Sequence, residues 1–139
     1  MIDGLIHKLK NKGISGKLLA WLTNYLVDRK RRVVIKGNSS DWHENKAEVP
    51  QGSILGPLLF LIYVNDIVNN IESQILLFAD DTSLFEIIDD PANFIRINND
   101  LEKLNNWAQT WLVTFNPKKT KYMIFCQKNL LKMFIPPSF

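Results

Sequence analysis

Two adjacent carboxylates, Asp80 and Asp81, follow the apolar run Ile75-Leu76-Leu77-Phe78-Ala79, and strand-like sequence resumes at once with Thr82-Ser83-Leu84-Phe85. Apolar stretches on both sides of a short polar break read as a β-hairpin with an acidic tip. Neighbouring carboxylates repel, so a fold that holds them together neutralises them with a cation, a basic side chain or water. Taken by themselves, these residues leave two readings open. One is a divalent-metal site; the other is a solvated turn in which Asp accepts local backbone hydrogen bonds.

Upstream lies Val49-Pro50-Gln51-Gly52-Ser53-Ile54-Leu55-Gly56-Pro57-Leu58-Leu59-Phe60, a glycine-bearing loop that runs into an apolar helix start. Gly52 and Gly56 let backbone approach a base pair or phosphate closely, and the Gln51 amide can both donate and accept hydrogen bonds. For Gly56, which precedes Pro57, the alternative is a residue that only shapes a strand-to-helix turn. A third cluster, Arg29-Lys30-Arg31-Arg32 with Lys36 close by, can neutralise nucleic-acid backbone phosphates or serve as a solubilising turn. His7 and His43 have no ligand-like spacing. Trp21, Trp42, Trp107 and Trp111 read as packing residues, and Cys126 as buried filler without a basic partner.

These candidates must be carried by a modest globular fold. The 139 residues are 46% apolar and 22% charged, enough for a hydrophobic core in at most one ordinary domain. A formal charge of +3 neither demands nor excludes a polyanionic partner. One cysteine excludes an internal disulfide and a cysteine-based zinc site. The apolar stretch from Ile54 to Val64 is too short to cross a bilayer, and Met1 to Lys8 has neither a signal-peptide nor a transit-peptide pattern.

Period and punctuation place the elements. Leu5, Ile6 and Leu9 predict a short helix ending near Gly13, and Leu18, Leu19, Leu22, Tyr25 and Leu26 a second from Gly16 to near Asp28. Residues 32–36 read as a strand, Gly37-Asn38-Ser39-Ser40 as a turn, and 42–49 as a weaker returning strand. Pro57 suits a first helical turn, giving a mostly buried helix to about Ile71. The acidic hairpin takes 74–78 and 82–88. Asp90-Pro91 starts a long helix with Phe94, Ile97, Leu101, Leu104, Ala108 and Trp111 on one face, and 120–125 alternates like a further strand. Helices with short, mostly antiparallel strands make an α+β class, helices packed on a small sheet.

The ordered set of motifs resembles the reverse transcriptase domain of non-LTR (LINE-type, jockey-like) retrotransposons. A Pro-Gln-Gly-Ser loop and helix precede a Phe-Ala-Asp-Asp hairpin, with Trp21-Leu22-Thr23-Asn24-Tyr25-Leu26, Tyr63-Val64-Asn65-Asp66, and Asn116-Pro117-Lys118-Lys119-Thr120 before Met123-Ile124-Phe125. The resemblance covers about Asp3 to about Cys126. It implies a partial polymerase palm and template-directed nucleotidyl transfer with two divalent ions, Mg²⁺ or Mn²⁺. It implies Asp80 and Asp81 as catalytic metal ligands, Asp80 the more direct, and Lys119 near the nucleotide phosphates, a role Lys118 can trade for. It places Gln51, Gly52, Ser53 and Ala79 beside nucleotide and template, with Arg29, Lys30, Arg31 and Arg32 on the nucleic-acid backbone.

The implied partners are an RNA template, a DNA primer and dNTPs, with no membrane and a residence that is nuclear or cytoplasmic, not secreted. In the family a first catalytic Asp, within Phe-Asp-x-Val-x-His, lies on a strand before the segment resembling Asp3 to Leu9. That strand has no counterpart here, and its role does not transfer to Asp3. Glu48 stands where many relatives carry glycine, which leaves the geometry of the loop open. The expected organisation is a partial reverse transcriptase domain at 1–126 and a truncated tail at 127–139, with fingers and thumb segments elsewhere in a longer polyprotein. The alternative is a catalytically inactive remnant that folds and at most binds nucleic acid. A viral RNA-copying polymerase or an intron-encoded maturase fits the motifs less well.

Overall fold

A computed structural model describes residues 2–44, 49–50 and 52–125. Gln51, Cys126 and the 127–139 tail lie outside the described residues. The chain forms two compact units, one ending at Asp66 and the other beginning at Ile67.

In the first unit, α1 (Ile2–Asn11) and α2 (Gly16–Leu26) are joined by a tight turn in which Gly13 takes φ +85°. The Ile14 amide donates to the Leu9 carbonyl at 3.1 Å and the Gly13 amide to Lys10 at 2.9 Å, which satisfies the last carbonyls of α1. The helix α3 (Leu55–Val64) packs against α1, and Leu5, Leu9, Leu22, Leu26, Leu59 and Tyr63 are the buried apolar residues. The α3 helix is shorter and less buried than the sequence predicts. It ends at Val64, where Asn65, Asp66, Asn69 and Asn70 replace good helix formers and Asn70 turns to φ +64°. Leu58 and Leu61 on its outer side are exposed.

Between α2 and α3 runs an antiparallel hairpin made of β1 (Lys30–Arg31), β2 (Val34–Ile35), β3 (Asn38–Ser39) and β4 (His43–Glu44). Its tip is Lys36-Gly37, two residues earlier than the sequence reading, which centred the turn on Asn38 and Ser39. Both tip residues have positive φ, +49° and +84°, the type I′ pattern whose twist matches that of the flanking strands. Ile35 pairs with Asn38, Val34 with Ser39, Arg31 with His43 and Lys30 with Glu44. The Ser40 amide donates to the Val33 carbonyl at 2.9 Å, so Ser40 stands opposite Val33. The change of register leaves Asp41 as an extra residue, a bulge that brings Arg32 opposite Trp42.

The second unit holds a two-stranded ribbon, β5 (Gln74–Phe78) with β6 (Asp81–Phe85), followed by α4 (Pro91–Trp111). The Asp90 carboxylate accepts from the Ala92 amide at 2.7 Å, and the Asn93 side chain accepts from the Asp90 amide at 2.8 Å. Pro91 follows at the first helical position, and the helix stops where Leu112 goes left-handed at φ +55°. Leu104 and Ala108 are buried on the expected face, with Phe94, Ile97, Leu101 and Trp111 half-buried. The strand expected at 120–125 does not form. Among the described residues no strand forms a ladder with this segment, and a strand is defined by such a ladder. Helices and small antiparallel sheets are therefore present, the described strands forming three two-stranded pairings rather than one sheet. No described helix is long and apolar enough to cross a membrane.

Candidate active site and its supports

The acidic hairpin closes in two residues, Ala79 and Asp80, between the paired Phe78 and Asp81. Of the two, only Ala79 has positive φ, at +51°, the sign pattern of a type II′ turn, for which glycine is the usual choice. A side chain in that region is strained, and such strain persists only where the surrounding structure holds it. Asp80 and Asp81 are both exposed. Cross-strand pairs share a face, so Asp81 lies with Phe78, Leu76, Ser83, Gln74 and Phe85, while Ile75, Leu84, Leu77 and Thr82 occupy the other, more covered face. Phe78 beside the acids is 82% exposed.

The base of this ribbon is fixed to α4 by charged groups. Asp100 is completely buried, and its Oδ2 accepts from the Ser73 amide at 2.7 Å and the Glu72 amide at 3.0 Å, just ahead of β5. Its Oδ1 accepts from Lys103 at 2.8 Å, and Lys103 also reaches Glu72 at 3.1 Å and the Asn70 carbonyl at 2.8 Å. Burial alone would raise the Asp100 pKa. The Lys103 ammonium and the amides of Ser73 and Glu72 outweigh it and hold the carboxyl below the usual carboxylate range. One turn earlier on the same face of α4, Arg96 pairs with Glu86 at 3.4 Å, just past β6. Both ends of the hairpin are thus gripped at positions i and i+4 of one helix. Sequence reasoning missed Asp100, although a signal existed: a carboxylate between Ile97 and Leu104 on the apolar stripe needs buried donors.

In the loop before α3, Gly52 has φ +76° with open space around it, so it serves backbone conformation. Gly56 differs. A Cβ built there would lie 2.7 Å from the Pro50 carbonyl oxygen and 3.1 Å from Ser53 Oγ, so glycine is needed for packing. The Ser53 hydroxyl donates to the Pro50 carbonyl at 2.7 Å and accepts from the Gly56 amide at 2.9 Å, closing the first turn of α3. Its hydrogen bonds are therefore turned inward on the loop.

The Asn116-Pro117-Lys118-Lys119 segment is a turn built on Asn116. Its side-chain oxygen accepts from the Lys118 amide at 3.1 Å, and its carbonyl from the Lys119 and Thr120 amides at 3.1 and 3.0 Å. Lys118 and Lys119 are exposed there. In the basic cluster, Lys30, Arg31 and Arg32 are exposed, whereas Arg29 is half-buried with Nη1 covered and unpaired among the described residues. Trp21 and Trp42, expected to pack, are mostly exposed. Leu22 and Leu26 take the buried side of α2 and leave Trp21 to stack on Tyr25, with centroids 5.7 Å apart. Lys8 was also missed. Only 5% exposed, it donates to the Tyr63 carbonyl and pairs with Asp66, with its ammonium 5.0 Å from the Tyr63 ring centroid.

Residues 1–133 match the family described as reverse transcriptase (RNA-dependent DNA polymerase). The chain belongs to the reverse transcriptase family. It is 30% identical over 96% of its length to a probable RNA-directed DNA polymerase from transposon BS of Drosophila melanogaster, covering 16% of that protein. It is 31% identical over 90% of its length to a probable RNA-directed DNA polymerase from transposon X-element, and 26% identical over 90% to the RNA-directed DNA polymerase from mobile element jockey, both of the same fly. It covers 14% of each. The chain therefore spans about one sixth or less of the length of these reverse transcriptase relatives. No solved structure matches it.

Proposed function

We propose that residues 1–126 are part of the palm of an RNA-directed DNA polymerase of a non-LTR retrotransposon, with Asp80 and Asp81 as its metal-binding carboxylates. The observation that carries this reading is a strained two-residue turn, braced at its base by Asp100 and Arg96, that presents two adjacent carboxylates to solvent. The donor set suits Mg²⁺, which takes one or two carboxylates and completes its shell with water and substrate phosphates. Among the described residues no three His, Cys, Asp or Glu side chains gather into a metal site, and this pair is what they offer a divalent ion. A bound divalent ion would offset charge on the reacting phosphate and its leaving group.

The chain's own residues supply orientation and charge. Asp80 and Asp81 hold the hard oxygen ligands at the ribbon tip, and Ala79 fixes their direction by its backbone. Lys119, or Lys118 beside it, offers a cation to nucleotide phosphates. Gln51, Gly52 and Ser53 form the loop beside nucleotide and template, where the glycine conformation leaves backbone open to approach. Lys30, Arg31 and Arg32 meet backbone phosphates, Arg29 contributing least because it is partly covered.

The test is primer extension by the purified chain on an RNA template with a DNA primer, dNTPs and Mg²⁺. Extension that disappears in Asp80→Asn, with unfolding of the variant unchanged, supports the reading. Extension that survives Asp80→Asn with Asp81→Asn refutes it. A second reading, nucleic-acid binding without catalysis, is favoured by the lack of a third acidic ligand among the described residues. It predicts RNA binding with no extension at any Mg²⁺ concentration.

A further inference from the structure

Among the described residues the hairpin of 30–44 has no core beneath it. Each of its residues is exposed, including Val33, Val34, Ile35 and Trp42, so neither face is covered. A lone two-stranded hairpin is marginal in water and gains most from lying against something else. Its charge says what. Arg29, Lys30, Arg31, Arg32 and Lys36 place five cations within eight residues, against Asp41 and Glu44 on the return strand. Glu44 stands opposite Lys30 and offsets part of the charge at the base, leaving the middle and tip cationic. The partner this surface attracts is a polyanion.

The bulge at Asp41 adds a second requirement. It sets Arg32 opposite Trp42, and the guanidinium carbon lies 4.7 Å from the indole centroid, a cation–π pair held on a ring that is 59% exposed. An exposed indole flanked by cations is a stacking platform for a nucleobase. Bases in a duplex present only their edges, so a flat exposed ring selects unpaired bases.

We propose that the 30–44 hairpin is a single-stranded nucleic-acid binding arm, in which Trp42, braced by Arg32, stacks an unpaired base while Lys30 and Lys36 meet flanking phosphates. This deepens the polymerase reading, on which it rests only in supposing that the chain meets nucleic acid. Its residues are other than those of the carboxylate tip and of the glycine loop.

The experiment uses the 139-residue chain and a fluorescein-labelled RNA of about 12 nucleotides, within the site sizes such surfaces occupy. Binding is followed by anisotropy and by tryptophan quenching. Trp42→Ala is expected to weaken binding about 5- to 150-fold, the range of one lost base stack. Trp42→Tyr, which keeps a ring in place, is expected to retain most of the affinity. Lys36→Ala, at the uncompensated tip, is expected to reduce the dependence of log affinity on log salt by about 0.7, the single-strand value for one phosphate contact. Asp80→Asn is expected to bind normally, and a wild-type chain that binds the RNA yet extends no primer overturns only the polymerase reading. Equal affinity in Trp42→Ala, a loss in Trp42→Tyr as large as in Trp42→Ala, equal or tighter binding of a blunt duplex, or competition by polyglutamate as strong as by RNA would each overturn the arm.

Discussion

Replacing Asp100 by alanine tests how the acidic hairpin is held. Its carboxylate is fully buried and accepts from two backbone amides, and truncation strands both donors. The Ser73 amide is buried, so it bears a full desolvation penalty of about 2–3 kcal/mol, whereas water can reach the part-buried Glu72 amide and limit its loss to about 1 kcal/mol. The expected destabilisation is therefore about 3–4 kcal/mol, a large share of the stability of about 5–15 kcal/mol usual for a domain. Asp100→Asn keeps an acceptor oxygen but loses the charge and turns an amide group toward Lys103, and should cost about half as much.

Urea unfolding supplies the free energies, and amide exchange locates the damage. Ser73 and the Gln74–Phe85 pair at the base of the ribbon should lose protection before the Phe78–Asp81 pair at its tip. The acid limb gives an independent check. The folded-state pKa of Asp100 lies below the ordinary aspartate value. Its contribution to stability is fully present above the unfolded pKa and is lost as pH falls through the folded one. The wild type should thus lose stability more steeply than Asp100→Asn below about pH 4, near the unfolded carboxylate value. An Asp100→Ala variant within about 0.5 kcal/mol of wild type, with unchanged exchange at Ser73, would refute the reasoning.

Four further substitutions probe other supports. Asp66→Ala leaves the buried Lys8 ammonium without its carboxylate and should cost about 3 kcal/mol in urea unfolding, whereas Lys8→Met should fall within about 1 kcal/mol of wild type or above it. The reason is that burial holds the Lys8 pKa below its ordinary value despite Asp66. Ala79→Gly relieves the positive φ at the tip and should stabilise the fold by about 1 kcal/mol, read as a rise in unfolding midpoint without a change in slope. Gly56→Ala should destabilise by about 1–2 kcal/mol despite its better helix propensity, since its methyl meets the Pro50 carbonyl, and thermal melting would show it.

The parts of the fold that could be read in the sequence are those fixed by local chemistry. Asp90-Pro91 and the stripe through Leu104 and Ala108 specify where α4 begins and which side it buries, because capping and period act within one element. The acidic hairpin was legible for the same reason, two apolar runs separated by a break of loop length. The rest depends on partners remote in sequence. Nothing near Lys8 announces Asp66, and nothing near Asp100 announces Ser73. The α3 helix continued on paper to Ile71 because Ile67 and Val68 keep the apolar period, yet the intervening asparagines stop it at Val64. The tip of the basic hairpin moved because Lys36 takes a left-handed conformation that only the type I′ turn demands. For the candidate site, the residue types at the tip were readable, whereas their brace was not.

That brace explains why an alanine survives at a position suited to glycine. A two-residue turn with a strained first residue relaxes by fraying its strands, and a ribbon of five residues per strand has little ladder to resist. Fixing the base removes that escape. Asp100 grips the backbone ahead of β5, Arg96 grips Glu86 after β6, and their i, i+4 spacing on α4 makes the separation of the two strand ends a property of one rigid helix. The strain at Ala79 is then held at the tip, where it fixes the backbone from which Asp80 and Asp81 project. It follows that Ala79→Gly combined with Asp100→Asn should recover less stability than Ala79→Gly alone, because a ribbon loosened at its base no longer holds the strain that glycine relieves.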